Sequence, residues 1–252
     1  MTEKKWKTQI TSHVGGLPHI RGYKVPEMLK KLSFTQAIFL VLKGELPTKK
    51  EEEMLNAILV AAIDHGVAPP STTVARITAS TGVPLTTAVA TGVATMGEFH
   101  AGAIEANAKM LQGAVKKGQS ASDIVEKARF KSERIPGYGH KIYDTDPRTE
   151  AILEVAEKNG FKGKHIELAL EIEKELEKAV GRKLPLNIDG ITAAVISEMG
   201  FDPELGNGFF AISRIVGLVA HVHEEKTREK PVRRISEDEV DYDGPKPRNL
   251  PK

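Results

Sequence analysis

Apolar residues recur along this chain with the period of an α-helix. Met54, Leu55, Ile58, Leu59, Ala62 and Ile63 fall three and four apart and predict a helix from Thr48 to about Ile63. Thr48 and Glu51 have the spacing of a capping box, and Asp64-His65-Gly66 follows as the stop. Phe34, Ile38, Phe39, Val41 and Leu42 predict a buried helix ending at Gly44. Further helices are expected over residues 71–80, 84–95, 122–130, 147–160, 165–180, 187–199 and 208–222. Ala and Gly are dense from Ala88 to Gly113, the signature of helices in close approach. Strand-like alternation bounded by turns is hard to find, so a mainly helical, all-α fold is expected. The segment from Lys226 onward is charged, rich in proline and expected to be irregular.

Composition narrows the class. The 252 residues allow one or two domains. Apolar residues at 40% and charged residues at 28% are the balance of a globular chain. Lys+Arg number 36 against Asp+Glu 34, which gives no electrostatic footprint for nucleic acid. The absence of cysteine excludes disulfides, thiolate metal sites and a thiol nucleophile. No run of about 18 apolar residues and no signal-type leader is seen, so neither a membrane nor secretion is expected, and the location is expected to be cytoplasmic. Glu and Lys are abundant and Gln scarce, so a heat-adapted source is expected. Residues 109–200 are more charged than their flanks. On that ground 109–200 is expected to form a small domain inserted into a larger one made of 1–108 and 201–252.

Three segments put polar residues where chemistry could use them. In Gly97-Glu98-Phe99-His100-Ala101-Gly102, a histidine stands among small residues at a helix start. There it could donate to a developing oxyanion, or it could be a buried structural histidine. Pro136-Gly137-Tyr138-Gly139-His140-Lys141 reads as an exposed glycine turn with cationic donors, and Asp146 can cap a helix that aims Arg148. Asn187-Ile188-Asp189 precedes an apolar helix. Asp189 there is either a partly buried base or an N-cap, a duty Asn187 could equally perform. Arg214 interrupts an apolar run and needs an anionic partner. His221-Val222-His223-Glu224-Glu225 lacks the spacing of a metal site, because i and i+2 residues do not share a helix face.

Taken in order, these segments resemble the citrate synthase superfamily. Ser33-Phe34, Gly44-Glu45-Leu46-Pro47, Arg21-Gly22-Tyr23 and Asp64-His65-Gly66 strengthen the likeness. The short length, the Gly206-Asn207-Gly208-Phe209-Phe210 run and the eight-residue spacing from Arg234 to Tyr242 are similar to stand-alone citryl-CoA lyases. They are similar also to the C-terminal citryl-CoA lyase module of ATP citrate lyase. Ala101-Gly102 departs from the Gly-Gly common in the family.

The resemblance implies a large and a small helical domain with an active site in the cleft, at a dimer interface. It implies cleavage of citryl-CoA to acetyl-CoA and oxaloacetate, with His100, His140 and Asp189 catalytic. His65, Arg148, Arg214 and Arg234 would hold substrate carboxylates, Arg234 from a partner subunit. Pro136, Gly137, Tyr138, Gly139 and Lys141 would contact coenzyme A, which enters as part of the substrate. No metal and no covalently bound cofactor are expected. A homodimer or higher homo-oligomer is expected, with room for a partner enzyme that makes citryl-CoA. The competing readings are a short citrate synthase or 2-methylcitrate synthase, which run the same bond the other way, and a non-catalytic helical interaction subunit.

Overall fold

The computed structural model describes residues 6–139 and 145–251. His140 and Lys141 lie outside the described residues. The chain opens on a three-stranded antiparallel sheet of β1 (Thr11–Val14), β2 (Leu17–Ile20) and β3 (Tyr23–Lys24). The chain is mainly helical as expected, and this small sheet is an addition to that pattern. Its strands are short and β1 is exposed throughout, so no core-facing alternation marks it. Two tight turns make it instead, with Val14 paired to Leu17 and Ile20 to Tyr23.

Eleven α-helices follow among the described residues: α1 (Val25–Lys31), α2 (Phe34–Lys43), α3 (Lys49–Ala61), α4 (Pro70–Ser80), α5 (Leu85–Ala94), α6 (Ala103–Lys117), α7 (Ala121–Phe130), α8 (Pro147–Lys158), α9 (Lys164–Val180), α10 (Ile188–Glu198) and α11 (Gly206–Arg228). The expected signals act where they stand. The Thr48 hydroxyl accepts the Glu51 N–H at 3.3 Å while the Glu51 carboxylate accepts the Thr48 N–H at 2.8 Å. Gly44 ends α2 in the left-handed region at φ 94°. Beyond Arg228 the chain is exposed and irregular apart from a 3-10 turn at Glu237–Glu239.

The chain divides into two compact units, Met1–His65 with Met96–Gly217, and Gly66–Thr95 with Leu218–Lys252. This grouping cuts the chain elsewhere than the charge-based boundaries at Lys109 and Gly200. Helix α6 runs through Lys109 and packs against both α9 and α10.

In the larger unit α10 is the central helix. Every residue from Gly190 to Ser197 is buried, and α3, α6, α8 and α9 pack around it. Each of Ile191, Val195 and Ile196 removed from water stabilises the unit by roughly 1.5–3 kcal/mol. Phe201 sits edge-on to Phe39 and Phe209, at 5.1 and 4.9 Å between ring centres, and closes one end of this core. Glu198, at the end of α10, caps α9 in trans by accepting the N–H groups of His165 and Ile166. In the smaller unit α4 and α5 pack through buried Ala75, Ala79, Ala88 and Val89. This is the close approach that the small residues foretell.

The region Pro203–Arg228 is long and apolar enough to cross a bilayer by length and composition. It carries buried Arg214 and Ser213 and buries Phe209, Phe210, Leu218 and Val222, the pattern of a core helix.

Candidate active site

The site forms in the larger unit, where the N-termini of α8 and α10, the loop before α6 and the middle of α11 supply its side chains. Asn187 caps α10, its Oδ1 accepting the N–H groups of Asp189 at 3.0 Å and Gly190 at 3.2 Å. That resolves the choice between Asn187 and Asp189 as cap. The Asp189 carboxylate is left out of the capping and sits in the first turn.

The Gly137-Tyr138-Gly139 loop is stitched to the same helix end. The Asn187 N–H donates to the Gly137 carbonyl at 3.0 Å, the Asn187 amide to that of Gly139 at 2.9 Å, and the Gly139 N–H to Pro185 at 2.7 Å. Gly137 has φ +85°, and a Cβ there would lie 2.7 Å from the Gly190 Cα and 2.8 Å from the Asn107 amide. Only glycine allows this approach. Asn107, fully buried on α6, donates to the Pro136 carbonyl and fixes the loop from the other side.

His100 lies in a tight turn three residues before α6. Its backbone exchanges hydrogen bonds with Gly97 at 2.8 and 3.0 Å. Ala101 takes the left-handed conformation, φ 74°, which is unusual for a residue with a Cβ. A Cβ on Gly102 would stand 2.7 Å from the Glu98 Cα and carbonyl oxygen, so the turn closes only over glycine. The imidazole packs edge-on to Phe210, with ring centres 5.8 Å apart.

Asp146 is fully buried and performs two tasks. It caps α8 by accepting the Arg148 N–H at 3.0 Å, and it grips the Arg148 guanidinium through Nε at 3.0 Å and Nη2 at 2.8 Å. A bidentate clamp of this kind fixes direction as well as distance, and it leaves Nη1 outside the grip. Arg214, 3% exposed, donates from Nε to the Ala62 carbonyl at 3.1 Å and lies over the Phe210 ring at 4.7 Å.

These groups act on one another electrostatically. Burial lowers the His100 pKa below its ordinary 6.5, and the positive Arg214 lowers it further, so the imidazole is neutral at pH 7. Burial raises the Asp189 pKa above 3.8. Arg148 and Arg214 pull it back and the Asp146 charge adds to the rise. Burial lowers the Arg214 pKa. Asp64 and Asp189 supply the negative charge an isolated arginine needs, while Arg148 opposes it. The arrangement is two fixed cations, one carboxyl inclined to hold a proton, and one neutral histidine. It can bind carboxylates, stabilise a developing oxyanion and move a proton.

His65 is exposed in the loop after α3, next to Asp64. Arg234 lies in the smaller unit, in the tail. It lines a cavity of about 550 Å³ with Val67, Thr73, Arg76, Ile77, Arg233 and Ile235. Tyr138 departs from the exposed turn expected of it: its ring packs partly buried against the core and its hydroxyl donates to the Ala169 carbonyl at 2.9 Å. Long-range packing on α9, invisible locally, is the cause. Beside Tyr138 and Gly139 runs a cleft of about 520 Å³ lined by Arg129, Arg134, Arg182 and Lys183. Sequence reasoning missed the roles of Asp64 as counter-charge and Phe210 as the ring shared by His100 and Arg214. Both stand in motifs noted above, but their partners lie far along the chain. No group of three or more metal-ligating side chains occurs among the described residues.

The family model "Citrate synthase, C-terminal domain" matches residues 48–235, so the chain belongs to the citrate synthase family. The chain is 28% identical to citrate synthase 2 of Bacillus subtilis over 245 residues, 95% of this chain and 64% of the relative. It thus spans less than two thirds of that protein's length. Its structure is similar to citryl-CoA lyase from Hydrogenobacter thermophilus, with TM-score 0.95 and 48% identity over 98% of each chain. It shares its fold with the Methanosaeta concilii ATP citrate lyase solved with (3S)-citryl-CoA, with TM-score 0.87 and 23% identity over 98% of this chain and 43% of the other.

Proposed function

We propose that this chain is a citryl-CoA lyase, which cleaves citryl-CoA to acetyl-CoA and oxaloacetate. The observation that carries the reading is the charge-coupled cluster of His100, Arg148, Asp189 and Arg214. The near-full-length likeness to the Hydrogenobacter thermophilus lyase supports it over a synthase.

In this reading the hydroxyl proton of citryl-CoA leaves to His140. The carbon–carbon bond breaks, the former carbinol carbon becomes the oxaloacetate ketone, and the electron pair passes to the thioester oxygen. His100 donates a hydrogen bond to that enolate oxygen. Asp189, whose raised pKa favours the protonated form, gives its proton to the enolate carbon and completes the acetyl methyl group. Arg148, Arg214 and His65 hold substrate carboxylates, and Arg234 does so from a second copy. The cationic cleft beside Tyr138 and Gly139 suits the phosphates of coenzyme A, and Pro136, Gly137 and Lys141 are assigned to the same ligand. No metal takes part. A homodimer is part of the proposal, and Ile215, Val216 and Val219 on α11 offer exposed apolar surface for it. The proposed location is cytoplasmic and the source heat-adapted.

The test is a two-channel assay on citryl-CoA, one channel following oxaloacetate and the other free CoA thiol. Oxaloacetate without thiol is the lyase result. Thiol release in place of oxaloacetate identifies a citrate synthase that hydrolyses its intermediate. Silence in both channels overturns the reading.

A further inference from the structure

A buried, highly charged cluster outside the site lies in the smaller unit. Glu225 of α11 has a side chain with no solvent exposure, held between two arginines. Arg76 of α4 donates from Nε to one carboxylate oxygen at 2.7 Å. Arg233 of the tail donates from Nε to the other oxygen at 2.6 Å and from Nη2 at 2.9 Å to the oxygen that Arg76 also bonds. The Arg233 backbone N–H donates to the Ser80 hydroxyl at 3.0 Å, and that hydroxyl donates to the Ile77 carbonyl at 2.7 Å. Glu224 and Glu229 add charge around Arg76. An exposed, irregular tail is therefore pinned at one residue, through both side chain and backbone, to α4 and α11. The next residue is Arg234, whose guanidinium has no hydrogen bond or ion pair among the described residues.

We propose that Glu225 is a positioning residue: by gripping Arg233 it sets the path of the tail and presents Arg234 to substrate. This rests on the reading that Arg234 binds a substrate carboxylate. Without the clamp Arg234 sits on a free tail and must be ordered at each binding event. The cost of ordering a long side chain then falls on substrate affinity.

Arg233→Ala removes the grip at its exposed end and leaves the Arg76–Glu225 pair in place, so the unit keeps its buried ion pair. Circular dichroism and melting check that it folds. In citryl-CoA cleavage by the full chain, Arg233→Ala raises KM about three- to tenfold with kcat nearly unchanged, on the scale of that ordering cost. Arg233→Lys, which retains one charge-assisted bond to Glu225, recovers part of the loss. Arg234→Ala raises KM more, and adding Arg233→Ala to it changes nothing further, because the clamp then has nothing to present. If Arg234→Ala impairs binding and Arg233→Ala does not, the clamp is refuted while the role of Arg234 stands. If the two effects multiply, Arg233 acts on its own and positioning is refuted. If Arg234→Ala changes nothing, both the underlying reading and the clamp fall.

Discussion

Asn187 caps α10 with its side-chain oxygen, 3.0 Å from the Asp189 nitrogen, and so frees the Asp189 carboxylate from that task. Two residues that the sequence offers for one duty are given different duties. Exchanging them tests the division. Asn187→Ala costs about 1 kcal/mol of stability, as lost caps do. Asp189→Asn keeps the cap and removes the proton carrier, and turnover of citryl-CoA falls about 10²–10⁴-fold.

Asp189→Asn also stabilises the protein, with a defined pH dependence. Burial raises the Asp189 pKa above its ordinary 3.8. Between that value and the raised one the native state holds more protons than the unfolded state, so stability falls as pH rises through this window. The asparagine variant escapes that loss. Its melting advantage is absent at pH 3, grows with rising pH, and is full once wild-type Asp189 is ionised. A constant difference across the pH range would mean that Asp189 is not shifted upward.

His100 is neutral at pH 7 because burial and the Arg214 charge both lower its pKa. An imidazole titration followed by NMR, with His100→Asn identifying the resonance, has its midpoint below 6.5. Removing the donor with His100→Ala lowers kcat about 10²–10³-fold while the melting temperature holds. A His100→Ala enzyme with near-wild-type turnover would exclude His100 as the oxyanion donor.

How much of this was legible in the sequence depends on the range of the interaction. Helices α2 and α3 announce themselves because Gly44 and the Thr48–Glu51 capping box act within four residues. The N-terminal sheet was missed although Gly15-Gly16, both at positive φ, is a two-residue hairpin turn between Val14 and Leu17. With β1 wholly exposed, no alternation led to it. Asp189, Arg148 and His100 were legible as odd polar residues at helix starts. The partners that set their properties were not. Arg214 bonds to Ala62 across 152 residues, and the Tyr138 hydroxyl bonds to a carbonyl 31 residues away. Local pattern carries no record of such contacts.

The Asp146–Arg148 clamp predicts how substrate affinity divides. Arg148→Ala removes a carboxylate ligand and raises KM for citryl-CoA, with the smaller effect on kcat. Asp146→Asn keeps the volume and the capping oxygen but weakens the charge-assisted grip, so the guanidinium loses its fixed direction. Its KM rises too, by less than that of Arg148→Ala. The double variant is no worse than Arg148→Ala alone, because residues of one network do not add. Additive losses in that cycle would show that Asp146 acts on substrate by another route.

Gly102 gives a test that substitutes no functional side chain. A Cβ there meets the Glu98 Cα and carbonyl oxygen at 2.7 Å, and both are backbone atoms that cannot swing aside. Gly102→Ala therefore displaces the 97–101 turn that carries His100. The helix itself gains little harm, because Gly102 is at its N-cap with ordinary helical φ and ψ. A misplacement of about 1 Å in a catalytic group can cost about 10²-fold in rate. The expected result is a folded protein that loses kcat on that scale and retains most of its affinity for CoA, measured by calorimetry. Ala101→Gly, at φ 74°, is the matched control: it removes left-handed strain and leaves the turn closed, so activity survives. Equal activity in the two variants would show that the turn tolerates the clash and that His100 is not held by it.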